Sequence, residues 1–216
     1  MVHLLTSKRS VADELLYELR DRSHNRNRQL FRDRMKKLGW IMAYEISQNL
    51  EYKSCTADTG LGEAQSFIIN DELVLCPVLR AGLAMYEGMH AVFSGAETAF
   101  VSAYRKHKPD GSFDIQMNYV TCPDLTDKTV ILIDPMLATG MSICQSIEAL
   151  EQFGIPKSWY VVCAIASQLG IQTLEQKFPL VHIFAAAIDE ELTAKSYIVP
   201  GLGDAGDLAY GQKLQE

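Results

Sequence analysis

Thr129-Val-Ile-Leu-Ile-Asp-Pro-Met-Leu-Ala-Thr-Gly-Met-Ser142 decides how this chain is read. Its first five residues, Thr129 to Ile133, are β-branched or apolar without polar alternation, as in a strand buried on both faces. The run ends at Asp134, and a turn built from Pro135, Ala138, Thr139 and Gly140 follows. Met141, Ile143, Ile147, Leu150 and Phe153 then recur near three- and four-residue spacing, which predicts a helix. Thr139 or Ser142 can cap that helix, and Gly154 can end it. Strand, small-residue loop and helix N-terminus in this order offer backbone N–H groups and hydroxyls to a phosphate. An ordinary strand–helix turn has the same outline. Asp134 sets this one apart, because a carboxylate beside a phosphate loop suits a sugar hydroxyl or a metal-bridged substrate.

Outward from there, Leu73-Val-Leu-Cys-Pro-Val-Leu79 has the same buried-strand composition, and Arg80-Ala81-Gly82 leads into a helix expected over 83–93. Pro77 is expected at the strand's end, since a central strand has no place for a missing N–H. Arg80 then follows the carboxyl end of a strand, where open α/β sheets bind ligands. A surface arginine paired with a nearby acid would look the same. Thr98 to Tyr104 reads as another strand, ending at Arg105. The basic Arg105-Lys-His-Lys-Pro-Asp-Gly111 turns at Pro109-Asp110-Gly111, and Ser112 to Val120 alternates loosely, as an antiparallel arm does. This arm, 105–120, is either a lid over an anionic substrate or a plain exposed hairpin, and His107 on it reads as solvated.

A strand over 159–166, a helix over 171–177 and a strand over 181–187 extend the pattern. Strand and helix thus alternate from 73 to 187, which predicts an α/β fold with a doubly wound parallel sheet. Helices are expected over 10–22 and 27–50, and the polar stretch 53–65, with Gly60 and Gly62, reads as loop.

With 216 residues the chain reads as one domain: N-terminal helices and loop over 1–65, a parallel core over 66–187 and a C-terminal segment over 188–216. Hydrophobic content of 48% and charged content of 22% suit a globular protein, and no apolar run reaches membrane-span length. The opening Met-Val-His-Leu-Leu-Thr-Ser-Lys-Arg lacks the apolar core of a signal peptide. Five widely spaced cysteines show no paired pattern, and three of them fall in apolar runs, so buried free thiols and a reducing, cytoplasmic location are expected. Without Cys-x-x-Cys or His-x-x-x-His, no structural metal site is expected. A net charge of −7 argues against nucleic acid as a partner. Eight Lys/Arg lie between Arg20 and Lys37, and they read as a helix face that meets water or a second subunit.

The tail, Tyr197-Ile-Val-Pro-Gly-Leu-Gly-Asp-Ala-Gly-Asp207, contains Gly201-x-Gly203-x-x-Gly206, the spacing of a dinucleotide fingerprint. Only ten residues follow it, too few for the helix, strand and acidic residue that such a site needs, so the match is rejected. A loop held close to a ligand, with Asp204 supplying a carboxylate, is the better reading.

Residues 130–140, the tail 197–207 and Pro77-Val-Leu-Arg-Ala-Gly-Leu83 belong together. With Tyr104-Arg105, Phe31-Arg32 and Tyr44-Glu45, they resemble the uracil phosphoribosyltransferases over most of the chain. The first segment looks like the phosphoribosyl-diphosphate loop of type I phosphoribosyltransferases. The tail is the more specific signal, being similar to that family's uracil-binding loop almost residue for residue. The resemblance implies a pyrimidine-salvage transferase that moves the phosphoribosyl group of 5-phosphoribosyl diphosphate to N1 of uracil, giving UMP and diphosphate. It also implies a type I phosphoribosyltransferase fold with a C-terminal base-binding hood, and a cytoplasmic homodimer or homotetramer.

By the same resemblance, Asp134, Pro135, Met136, Leu137, Ala138, Thr139, Gly140, Met141 and Ser142 hold the 5′-phosphate and ribose. Arg80 and Arg105 contact the diphosphate, and Asp204 binds on the ribose side, with Mg²⁺ carried by the substrate rather than by a protein site. Ile198, Gly203, Asp204 and Ala205 read the base, and Arg105, Asp134 and Asp204 are the implied catalytic residues. Met141 departs from the family, which usually has a second glycine there; 106–122 and 189–196 also depart, Asp189 excepted. The rival classes are a nucleotide-sensing, RNA-binding regulator on the same fold and an inactive interaction subunit. The acidic balance speaks against the first, and the presence of Arg80, Arg105, Asp134 and Asp204 against the second.

Overall fold

A computed structural model describes residues 1–107 and 113–214, and the side chains of 103–107 and 113–118 fall outside that description. The chain begins with β1 (Val2–Leu4), α1 (Val11–Arg20) and α2 (Arg28–Ser47), then forms a hairpin of β2 (Tyr52–Asp58) and β3 (Glu63–Ile69). β4 (Leu73–Leu79), α3 (Leu83–Val92), β5 (Glu97–Thr98), β6 (Phe100–His107) and β7 (Phe113–Thr121) follow. Next come β8 (Thr129–Ile133), β9 (Met136–Leu137), α4 (Met141–Leu150), β10 (Ser158–Ser167), α5 (Gln168–Lys177) and β11 (His182–Asp189). The described chain closes with β12 (Glu191–Leu192), β13 (Ile198–Val199) and α6 (Ala205–Tyr210).

The main sheet runs β1-β11-β10-β8-β4-β6-β7, parallel throughout except for the antiparallel pair β6–β7. Its strands are continuous apolar runs because both faces are covered. Period-two alternation sends Val130, Leu132, Val161 and Cys163 to one side, against Ile143 and Ile147 of α4 and Leu174 of α5. Ile131, Ile133, Val162 and Ala164 go to the other side, against Met35, Leu38 and Met42 of α2 and Met85 of α3. Each such Leu, Ile or Met contributes roughly 1.5–3 kcal/mol by leaving water. The expected doubly wound parallel sheet is thus what the chain forms, with β4, β8, β10 and β11 all ending at the same edge.

Several local expectations change. The stretch read as loop over 53–65 belongs to the β2–β3 hairpin, whose residues are mostly exposed on both faces, so no apolar alternation marks it. β1 was not expected; three residues are too few for a periodicity, and its place comes from pairing Val2 with Ile183. Pro77 lies inside β4 rather than at its end. It falls between Val74–Leu75 and Val78–Leu79, which pair with β5 and β6, so its missing donor sits where that ladder is interrupted. The basic run is not a plain solvated face. Arg20 pairs with Asp189, Arg34 with Glu18 and Lys36 with Glu87, while Arg32 donates to the Ala209 carbonyl. The free thiols Cys76, Cys144 and Cys163 are buried, as expected. The turn Pro109-Asp110-Gly111 lies outside the described residues.

Candidate active site

The loop after β8 is fixed on its sheet side by backbone bonds to β10. Asp134 N–H donates to the Val162 carbonyl at 3.0 Å, and the Pro135 carbonyl accepts from Ala164 and Ile165, each at 3.0 Å. β9 then adds a short parallel pairing of Met136 and Leu137 with Ile165 and Ala166. From behind, the buried Ser167 hydroxyl donates to the Ala138 carbonyl and accepts the Gly170 N–H at 2.9 Å. Asp134 Oδ1 accepts the Met136 N–H at 3.2 Å, one contact among those the carboxylate makes.

The helix that follows starts differently from expectation. Gly140, not Thr139 or Ser142, is the N-cap, at φ +78°, and no side chain caps it. A Cβ there would lie 2.9 Å from the Gly170 carbonyl oxygen, so the left-handed turn and the close approach both require glycine. Thr139 Oγ1 makes only a long contact, 3.4 Å, with the Met141 N–H. The first amides of α4 therefore stay available to an incoming anion, at the positive end of a ten-residue helix. The resulting cavity is lined by Asp134, Met136, Leu137, Ala138, Thr139, Gly140, Ser142 and Ile143. Pro135, which is buried, and Met141, 43% exposed, are not among its lining residues. Gly154 does end the helical run, after a 3-10 turn over Glu151–Phe153.

Arg80 follows β4 on the same edge and reaches the C-terminal segment. Its Nη2 donates to Asp207 Oδ1 and to the Gly211 carbonyl, both at 3.3 Å. The segment read as a loop contains α6, with Asp204 as its N-cap: Oδ1 accepts the Asp207 N–H at 3.0 Å and Oδ2 meets Lys213 Nζ at 3.2 Å. The ion pair of Arg80 with Asp207 joins the end of β4 to the tail. Arg105 lies on β6 with its backbone opposite Ile115; its side chain, like that of His107, is outside the described residues.

The tail loop runs from β13, where buried Ile198 pairs with Leu192, through Gly201 at φ +57° and Gly203 at φ +102° to buried Ala205. A Cβ on Gly201 would lie 2.2 Å from the Ile198 carbonyl oxygen, so the backbone itself would have to shift to admit one. The loop is tied to the far end of the sequence. Asp189, 7% exposed at the end of β11, takes both terminal nitrogens of Arg20 at 2.7 Å and the Gly201 N–H at 2.8 Å. Arg20 Nη1 also donates to the Gly201 carbonyl at 2.9 Å. Burial pushes the Asp189 carboxyl up, but the Arg20 guanidinium and the Gly201 N–H outweigh it and hold the group below the ordinary carboxylate value.

The structure thus sets 134–142, Arg80 and 198–205 beyond the carboxyl ends of strands or next to residues that are, the edge at which open α/β sheets bind ligands. Sequence reasoning missed Arg20, Ser167, Gly170, Asp207 and Lys213. Only Asp189 carried a signal, its fit to the family pattern just ahead of the tail loop. Among the described residues no group of three or more His, Cys, Asp or Glu sits together as a metal-holding cluster, and no helix is long and apolar enough to cross a membrane.

The family model described as uracil phosphoribosyltransferase matches residues 6–212. A protein named uracil phosphoribosyltransferase from Porphyromonas gingivalis is 43% identical over 215 residues, 99% of each chain. The solved structure titled AQ2163 protein from Aquifex aeolicus superposes over 100% of both chains with a TM-score of 0.87 at 30% identity. A hypoxanthine phosphoribosyltransferase from Staphylococcus aureus shares the fold at 11% identity, with a TM-score of 0.51 over 74% of this chain and 76% of its own.

Proposed function

The chain belongs to the uracil phosphoribosyltransferase family and joins uracil to 5-phosphoribosyl diphosphate, giving UMP and diphosphate; from that premise we propose how its residues divide the reaction. Residues 134–142 hold the 5′-phosphate and ribose. The α4 amides and the Thr139 and Ser142 hydroxyls take the phosphate, and the Asp134 carboxylate takes ribose hydroxyls. Arg80 and Arg105 take the diphosphate, and Asp204 stands on the ribose side between the two substrates. To bind substrate, Arg80 exchanges its contacts with Asp207 and Gly211 for phosphate oxygens.

Ile198, Gly203, Asp204 and Ala205 read the base. Uracil presents acceptor, donor, acceptor along one edge, and backbone N–H, C=O, N–H groups match it without a charged side chain. Cytosine would set its exocyclic amine against a donor and leave buried groups unpaired. The base N1 attacks C1′ as diphosphate leaves, and positioning together with neutralisation of the leaving charge by Arg80 and Arg105 lowers the barrier. Mg²⁺ carried by the diphosphate would supply further charge neutralisation there, and Asp134 and Asp204 would be the residues to hold its waters, in keeping with the few protein ligands this ion takes.

The observation that carries this reading is the bridge from Arg80 to Asp207, which ties the phosphate edge to the base-reading tail. Incubation with uracil, 5-phosphoribosyl diphosphate and Mg²⁺, followed by chromatography for UMP, tests it; no UMP from folded protein would refute it. No observation favours the RNA-binding alternative. The protein works as a cytoplasmic homo-oligomer, dimer or tetramer. Support comes from Trp40 and Tyr44 exposed on α2, and from a two-stranded hairpin that exposes Tyr52, Phe67 and Ile68, an arrangement marginal without further packing.

A further inference from the structure

Gly201 is held by both of its backbone polar groups, one from the end of β11 and one from α1 nearly a whole chain away. Asp189 Oδ2 accepts its N–H at 2.8 Å, and Arg20 Nη1 donates to its carbonyl at 2.9 Å. The same Arg20 is locked to Asp189 by two bonds of 2.7 Å, so guanidinium, carboxylate and the N–H and C=O of Gly201 form one closed unit. Buried Asn25 adds a third tie, donating to the carbonyls of Leu19 at 3.1 Å and Leu202 at 3.4 Å. These three ties come from α1, its following turn and the end of β11 rather than from the loop itself.

We propose that Arg20 and Asp189 are positioning residues for base selection: they fix the two peptide groups flanking Gly201 and so aim the backbone groups of 198–205 at the base. The inference rests on the assignment of that loop to uracil. A site that discriminates by peptide N–H and C=O groups works only while those peptide planes cannot rotate, and a loop carrying Gly201 and Gly203 at positive φ has little stiffness of its own. The Arg20–Asp189 unit supplies that stiffness. A salt bridge that merely joined α1 to β11 would not need to engage the peptide groups on both sides of one loop residue.

Arg20→Ala would leave Asp189 buried and unpaired, with the fold at risk. Arg20→Lys and Asp189→Asn are therefore the test, because Lys keeps the charge without the fork and Asn keeps the shape without the charge. With either, KM for uracil should rise about tenfold or more, the loss expected for a buried charge-assisted bond. Preference for uracil over cytosine should fall, while binding of 5-phosphoribosyl diphosphate, measured by calorimetry, stays within about twofold. A folded variant with unchanged KM for uracil, or with both substrates weakened alike, overturns the proposal. Hydrogen exchange separates this from the assignment of the base. In the wild-type chain the Gly201 amide should be as protected as those of β11, and in Arg20→Lys the amides of 201–205 should exchange faster. Fast exchange at Gly201 in the wild type refutes the anchor without any variant; protection there in a protein that makes no UMP refutes the base assignment instead.

Discussion

The two halves of the candidate site are built in opposite ways. The phosphate loop, 134–142, is a contiguous strand, turn and helix start, held from beneath by neighbouring β10 and α5. Its partners lie within about one βα unit of sequence. The base loop, 198–205, is held by Arg20, Asn25 and Asp189, and the first two are separated from it by |i−j| of 181 and 177. The first is a local solution, while the second draws on both ends of the chain. A common grip on the shared substrate and a private anchor for the base is an arrangement in which specificity can change without loss of the phosphate site.

The largest effects should come where both substrates meet the reacting bond. Asp204→Asn, and separately Arg105→Ala, should each reduce UMP formation about a hundredfold or more in initial-rate assays, the usual cost of a lost transition-state charge contact. Near-normal turnover in a folded variant would take that residue out of the site and leave Asp204 as only the cap of α6.

Two glycines separate the halves more sharply. Gly140→Ala places a Cβ 2.9 Å from the Gly170 carbonyl, and Gly201→Ala places one 2.2 Å from the Ile198 carbonyl. The first should raise KM for 5-phosphoribosyl diphosphate, and the second KM for uracil, each by about tenfold or more while the other constant changes little. If Gly201→Ala weakened both substrates equally, the two loops would be one mechanical unit and the contrast between them would be false.

That contrast also explains what was legible in the sequence. Buried parallel strands announce themselves as apolar runs, so β4, β8, β10 and β11 could be read, and with them the edge and the phosphate loop. The β2–β3 hairpin was invisible because it is mostly exposed on both faces and residues 53–65 carry no apolar alternation. α6 was hidden because a helix of six residues opening Ala-Gly has neither the length nor the propensity to show. Arg20 was read only as one cation in a basic run, because nothing local distinguishes a guanidinium that meets Asp189, 169 residues on, from one that meets water. The base loop was recognised by its likeness to a family, and the forces that hold it came only from the fold.

Met141 offers the smallest and most exacting test of the local half. It occupies the first position of α4, next to Gly140, where the resembling family usually has a second glycine. Its side chain is 43% exposed, and the groups expected to hold phosphate here are amides and hydroxyls rather than the methionine thioether. Met141→Gly should therefore leave KM for 5-phosphoribosyl diphosphate within about threefold, since the backbone donors stay where β10 and α5 hold them. Stability should fall slightly, because glycine at the start of a helix costs up to about 1 kcal/mol against methionine, or about 2–4 °C in Tm for a domain of this size. A tenfold change in that KM with an unchanged Tm would mean that the methionine side chain itself shapes the grip. The phosphate loop would then be less interchangeable than its local construction makes it, and the division between a shared half and a private half would have to move inside residues 134–142.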